Sequence, residues 1–462
     1  MPSKSRSSNE LPSLIQVHQL RNPSHAKKAN RSEFWSIHFY PYTRPGDRPV
    51  FAMVGGNERD GSHILICRLP PSGKMEVIQY ILDKDIYDET KDILYSCVFT
   101  KDMKTGAPLL CVAGTARIIK IIDVRTGKVV KSLCGHGGSI NDLAISPLSP
   151  EILVSCSDDQ SIIVWSLDPA HEKQPVVAIL KGEAIKDKVY KIAFHQNGRY
   201  LLSAGGDCIV NLWTLPEFPD ENTGKSKPTL IYFPHFSSPE VHQYQVDSIT
   251  FFHDLILSRS EREDRLVLWS ITGFDSTLPP PTESEAPSLK DEKTLTRSFF
   301  APPAITPGAS PQYSRLLTFA NPKSELVWIR HGFFPGSPTT NSILACGNEV
   351  GELLFWDLAR LSEHHEAITK GTYEDDEKRP GFMALSRKKT KGQNGREEML
   401  ERSRRKWDRR YGIGDPERGL EAHRTVDCDR SVCLRGVGWS ADGRWCVAVG
   451  DQSTFVVYGW GA

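Results

Sequence analysis

The chain lacks any run of 18 apolar residues, and its opening stretch, MPSKSRSSNE, lacks the apolar region of a secretory signal. No membrane span or membrane partner is expected, and the compartment expected is cytosolic or nuclear. An excess of either charge is also missing. Lys+Arg and Asp+Glu number 57 each in 462 residues, which excludes a generally basic nucleic-acid binder and leaves only a local patch for that role. No Cys-x-x-Cys pair occurs. The ten cysteines are scattered, mostly in apolar runs such as LLCVAG and HILICRLP, the pattern of buried thiols in a reducing compartment. Cys428 and Cys433 flank a short charged segment near His423, a poor match to a zinc-ligand set, so neither metal nor cofactor is expected. Hydrophobic residues at 39% and charged residues at 25% are globular values, so most of the chain folds.

What the chain has is a repeat. KSLCGHGGSINDLAISPLSPEILVSCSDDQSIIVW (131–165) is followed by DKVYKIAFHQNGRYLLSAGGDCIVNLW (187–213), DSITFFHDLILSRSEREDRLVLW (247–269) and SILACGNEVGELLFWDL (342–358). Each passes from an alternating segment through a turn to a small-residue strand, then to an apolar strand ending in Trp165, Trp213, Trp269 or Trp356. Weaker copies lie at 50–68, 94–123 and 437–458. A Gly-His near the start and a Trp at the end is the WD40 signature, each unit being one four-stranded antiparallel blade. The expectation is an all-β, seven-bladed propeller over 33–462, with a strand at 33–42 completing the last blade. His136 and Asp159 are read as a buried network reaching the Trp165 indole through Ser161, since the repeat already accounts for residues that a catalytic pair would need.

Three stretches are too long or too rich in Pro and Ser for blades: 216–243, 273–323 and 359–430. They are expected to be loop insertions, and residues 1–32 a basic, Ser-rich disordered tail. Within the largest insertion, Arg387 to Arg410 carries eleven basic and four acidic residues, and GREEMLERSRRKWDRR (395–410) reads as a helix with Leu400 and Trp407 on one face. Two readings of it stand: a docking helix or cationic arm for nucleosomal DNA, or a solvated surface segment.

With the blades in register, PVFAMVGGN (49–57), LYSCVFT with PLLCVAGTARIIKIID (94–123), CGHGGSINDL (134–143), FPHFSSPEVHQYQVDSITFFHDLILSRS (233–260) and LACGNEVGELLFWDL (344–358) resemble the EED/ESC family of WD40 subunits of Polycomb repressive complex 2. The resemblance covers most of 33–462 apart from the insertions. It implies a nuclear, non-catalytic scaffold beside a SET-domain histone methyltransferase and a Suz12-like zinc-finger subunit. It also implies a reader of trimethyl-lysine on a histone H3 tail, whose binding stimulates the methyltransferase. A quaternary ammonium has no N–H to donate, so aromatic faces must recognise it, at roughly 0.5–2 kcal/mol per contact. Carried over position by position, the cage falls on Trp35, Tyr95 and Trp328. A one-residue shift would instead put Ile329 in the cage position. The same register places Asn141, Asp247, Arg330 and Arg435 at the channel mouth, to fix the peptide backbone or lengthen the pocket.

Three rival readings remain open. One is a WD40 scaffold that reads no methyl mark. A second is a propeller enzyme, for which no cluster of His, Asp or Glu outside the repeat scaffold speaks. The third is a ubiquitin-ligase adaptor reading phosphodegrons through Arg330 and Arg435, which leaves the aromatics unexplained.

Overall fold

The structure is a computed structural model that describes residues 11–19, 33–44, 46–57, 61–69, 75–82, 92–287, 295–301, 311–385, 393–428 and 431–460. Its strands form seven sheets, and these are the seven expected blades. Blade one holds Glu33–Phe39, Val50–Asn57, Gly61–Arg68 and Glu76–Leu82, numbered from the channel outward. The innermost strands of blades two to seven are Leu94–Lys101, Ile140–Ile145, Val189–Phe194, Val246–Phe252, Gly332–Phe334 and Leu434–Trp439. Packing follows from a pattern in which the second and third strands are apolar on both faces, as in ILVSCS and IIVWS, both fully buried. The core is therefore divided into clusters that each join two neighbouring blades. Trp165 fills the contact of blades two and three, Trp213 that of three and four, Trp269 that of four and five, and Trp356 that of five and six. Each indole buries 150–250 Å², worth about 4–6 kcal/mol of transfer free energy.

The network around the first Trp differs from expectation in one atom. The Trp165 indole N–H donates to Ser155 Oγ at 2.7 Å, and that hydroxyl lies 2.7 Å from His136 Nε2. Because Ser155 accepts from the indole, its own proton is free for the imidazole. His136 Nδ1 then meets Asp159 Oδ2 at 2.9 Å. Ser161 caps Asp159 at 2.6 Å instead of reaching the indole. Ser155 sits beside Trp165 across two paired strands, whereas Ser161 lies in the turn. Blade five repeats the chain with a glutamate, through Trp269, Ser258, His242 and Glu263.

The ring is closed differently from the sequence expectation. Glu33–Phe39 pairs with Val50–Asn57 and opens blade one, and Phe34 and Ile37 pack between blades one and seven. Closure falls to Ser13–Gln19, antiparallel to Thr454–Gly459. The expected disordered tail thus contains an ordered strand; its other parts, 1–10 and 20–32, lie outside the described residues. In SLIQVHQ the register slips at Ile15, which brings Leu14 and Val17 together onto the blade six–seven cluster, enough apolar surface to seat one edge strand.

The insertions also need redrawing. Each lies between the third and fourth strands of a blade, and its last part returns as sheet. Phe236–Ser238, Tyr313–Ala320 and Arg424–Asp427 are the fourth strands of blades four, five and six. Thr229–Ile231 and Gly419–Leu420 add parallel fifth strands to blades three and five. The largest insertion is a packed subdomain. Helix α1, Leu358–Thr369, starts at Asp357, whose carboxylate accepts from the Ala359 N–H at 3.1 Å. Helix α2, Gln393–Tyr411, buries Trp407 and Tyr411, with Leu400 partly buried, in the cluster that holds Trp356. Its opposite face exposes Arg402, Arg405, Lys406 and Arg409.

Candidate functional site

One backbone irregularity recurs in six blades. The innermost strand slips register against its neighbour at residue 35, 95, 141, 190, 247 or 435, leaving an extra residue. A bulge re-aims the side chain it carries. These bulges ring one mouth of the channel. They also explain the glycines opposite. A Cβ on Gly55, Gly114 or Gly205 would lie 1.8–1.9 Å from the carbonyl oxygen of Glu33, Ile93 or Lys188. Any side chain there would abolish the bulge.

The ring brings the three expected aromatics together. Trp35 and Tyr95 lie 5.9 Å apart between ring centroids, nearly perpendicular. Trp35 and Trp328 are 6.3 Å apart at 77°, and Tyr95 and Trp328 stack at 5.6 Å and 23°. All three are half-buried, while neighbouring Phe34 and Leu94 are fully buried in the blade core. A cation near the middle of this triangle lies within the ~6 Å reach of every ring face. Ile329 is fully buried in the blade five–six cluster, so it is Trp328 that faces the other two rings.

A fourth aromatic, Tyr190, was not picked out from the sequence. It stands 5.2 Å from Trp328 at 50°. The signal was present: DKVY (187–190) and DILY (92–95) share Asp-x-x-Tyr, which puts both tyrosines in equivalent bulges. Burial pushes the Tyr190 phenol up to about 12, and the surrounding Asp187, Asp158, Glu261 and Asp247 add to that rise.

The four remaining candidates sit at the mouth but are engaged by protein partners. Asn141, 1% exposed, donates to Asp158 at 2.8 Å and to the Val189 carbonyl at 2.9 Å, tying blade three to blade four. Asp247, fully buried, accepts from the Trp328 N–H at 2.6 Å and the Ile329 N–H at 3.3 Å. That grip holds Trp328 at φ 67, a left-handed conformation that costs a bulky residue free energy. Arg330 donates to Asp142 at 3.0 Å and to the carbonyls of Asn141 and Tyr190, with its guanidinium 4.9 Å from the Trp328 ring. Arg435 pairs with Asp451 at 2.6 Å and lies 4.5 Å over Trp35. Behind them is a second residue that sequence reasoning passed over. Arg259, fully buried, donates to Asp247 at 2.5 Å, to the Ser324 carbonyl, and to the Leu326 carbonyl at 2.7 Å. It shapes the segment that delivers Trp328, and no repeat pattern marks it.

His423, expected only as a weak zinc candidate, accepts the Asp357 N–H at 2.9 Å and meets the Arg410 carbonyl at 2.9 Å. Among the described residues no cluster of three or more His, Cys, Asp or Glu could hold a metal ion.

Fold and mouth together define a WD40 propeller with an aromatic cluster over one end of its channel. The family model for the WD domain, G-beta repeat, matches residues 127–166 and 174–214. Over nearly its whole length the chain is similar to a chain of the Chaetomium thermophilum polycomb repressive complex 2, with a TM-score of 0.86 and 34% identity, covering 98% of both chains. A chain in the structure of ctPRC2 in complex with H3K27me3 and H3K27M matches with a TM-score of 0.86 and 35% identity, again covering 98% of both. In sequence it is 44% identical to the Polycomb protein EED of C. thermophilum over 72% of this chain, a match that spans only 58% of that relative's length. The Polycomb protein esc of Drosophila melanogaster is 28% identical over 72% of each chain. The chain belongs to the EED/ESC family of Polycomb WD40 proteins.

Proposed function

We propose that this protein is a non-catalytic, nuclear subunit of a Polycomb-type histone H3 lysine methyltransferase complex, and that it reads trimethyl-lysine with Trp35, Tyr95 and Trp328. The observation that carries the reading is the triangle of half-exposed rings, all within 6.3 Å of one another, at the mouth of a propeller of this family. Ring faces attract a quaternary ammonium, whereas an unmethylated ammonium would lose its water hydrogen bonds there without replacement. Partners in this reading are a SET-domain subunit, a Suz12-like subunit and the H3 tail. The exposed basic face of α2 is a further contact for nucleosomal DNA, acting through phosphates without sequence preference. Stimulation of the methyltransferase follows if the marked tail binds the active assembly more tightly than the inactive one.

The test is binding of an H3 tail peptide, trimethylated against unmodified, to the purified chain and to Trp328→Ala. Selective binding that disappears in the variant is the expected result. Equal binding of both peptides by the folded protein would leave a scaffold that reads no mark.

A further inference from the structure

The aromatic mouth and the largest insertion lie at opposite ends of the ring. Trp35, Tyr95 and Asp247 fall within the first three residues of their innermost strands, and Trp328 lies just before Gly332–Phe334. In blade six Phe334 pairs with Ile343, and Ile343 with Asp357, so the residue that caps α1 is at the far end of the blade. Helix α2 closes back onto that far end, because His423 bridges the Asp357 N–H and the Arg410 carbonyl, both at 2.9 Å. Innermost strands of six to eight residues in the other blades put the two ends about 20–26 Å apart.

Helix α2 gathers its exposed charge into a stripe. Arg402, Arg405, Lys406 and Arg409 fall within about 100° of the helix circumference, opposite the Leu400, Trp407 and Tyr411 that face the core. Other cations of the helix are engaged: Arg396 with Asp376, Arg404 with the Tyr373 hydroxyl, and Arg410 with Glu421. Arg405 and Arg409 pair with Glu401 and Glu421 at 3.2 and 3.5 Å, but both side chains are more than half exposed, where such pairs are worth little. Arg402 and Lys406, one turn apart, have no partner among the described residues. Four cations along about 10 Å of helix match the closely spaced phosphates of a duplex, and each phosphate contact releases counterions.

Taking the DNA contact of α2 as the starting point, we propose that the chain holds a duplex and a trimethylated tail at the same time, one at each end of the ring and without competition. Arg402 and Lys406 are the principal phosphate contacts. Neither ligand occupies residues of the other, so each binds with its own affinity. A mark and a duplex that are physically linked then reinforce one another, because binding of one raises the local concentration of the other.

The experiment is fluorescence anisotropy of a short mixed-sequence duplex titrated with the full chain between about 50 and 200 mM salt. Expected is a log–log salt slope of about −3 to −4. In the double variant Arg402→Gln/Lys406→Gln the slope shrinks by about 2 and affinity falls at least tenfold, while binding of the trimethylated H3 tail peptide stays within twofold of wild type. A saturating short peptide of trimethyl-lysine flanked by alanines leaves duplex affinity within twofold. Displacement of the duplex by that peptide, equal duplex binding by wild type and variant, or competition by polyglutamate as effective as by duplex would overturn the proposal and leave the reading of the mark standing. A wild type that binds duplex but not the marked peptide would overturn both.

Discussion

The bulge residues around the mouth of the propeller fall into two interleaved sets built on the same backbone device. Bulge residues of blades one, two and four are Trp35, Tyr95 and Tyr190, half-exposed aromatics that each meet Trp328. Those of blades three, five and seven are Asn141, Asp247 and Arg435, polar groups held by protein partners. Geometry alone therefore does not make a binding residue. An amide or a carboxylate turned into a crowded mouth must satisfy its hydrogen bonds at once, and nearby backbone does so. An aromatic ring turned into the same place carries at most one polar atom, at its edge, and its face stays available. In the proposed reading one set binds and the other braces.

Substitutions separate the two roles. The largest effect is expected from the bracing side. Arg259→Met strands Asp247 without its cation and should lower stability by about 3–5 kcal/mol; chemical denaturation checks it, and a change under 1 kcal/mol would remove Arg259 from the bracing set. Next is Glu263→Gln in blade five. Hydrogen bonding and charge attraction from His242 hold the Glu263 carboxylate down to about 2. A depressed carboxylate stabilises the fold above its unfolded value near 4.5, and that stability drains away as pH falls from there toward 2. The wild type should thus exceed the variant by about 3 kcal/mol near neutrality and converge with it only below about pH 2. His38, pushed by burial to about 4, and His331 and His423, pushed to about 3, add acid sensitivity of the same sign below pH 6.5.

The aromatic set proposed to bind should behave in the opposite way. Trp328→Ala should weaken trimethyl-lysine peptide binding by about tenfold or more while shifting the denaturation midpoint much less than Arg259→Met. Smallest is Tyr190→Phe, which keeps the ring and removes the hydroxyl; peptide affinity should change less than about twofold, and Tyr190→Ala should lower it by about threefold to tenfold. An equal loss in both would place the hydroxyl, and not the face, at the centre of recognition.

The blades were legible because the Trp of the third strand and the small residues of the second recur at fixed offsets. Trp35, Tyr95 and Trp328 were legible only through family resemblance, since nothing in an alternating strand says which aromatic occupies a bulge. The glycines in VGG and VAG carried that information, but their meaning appears only when the facing carbonyl is seen. Tyr190 was missed despite its Asp-x-x-Tyr. Arg259 was hidden because its partners, Ser324 and Leu326, are far along the chain. Most returning strands of the insertions were hidden because two to four residues of sheet leave little periodicity, and the eight-residue Tyr313–Ala320 was hidden because it ends a Pro-rich stretch. SLIQVHQ was overlooked for a related reason. Seven residues without strict alternation in a Ser-rich setting mean little until their partner, 446 positions away at Ser13 and Gly459, is known.

That pairing sets a timetable for making the molecule. Residues 13–19 leave the ribosome about 435 positions ahead of Thr454–Gly459, so at 5–20 residues per second they wait on the order of 20–90 s for their strand partner. During that interval six blades can stack, yet the ring stays an open arc with Leu14 and Val17 uncovered. The seam is then the last joint to form, and in a ring held by neighbour contacts it is also where opening should begin.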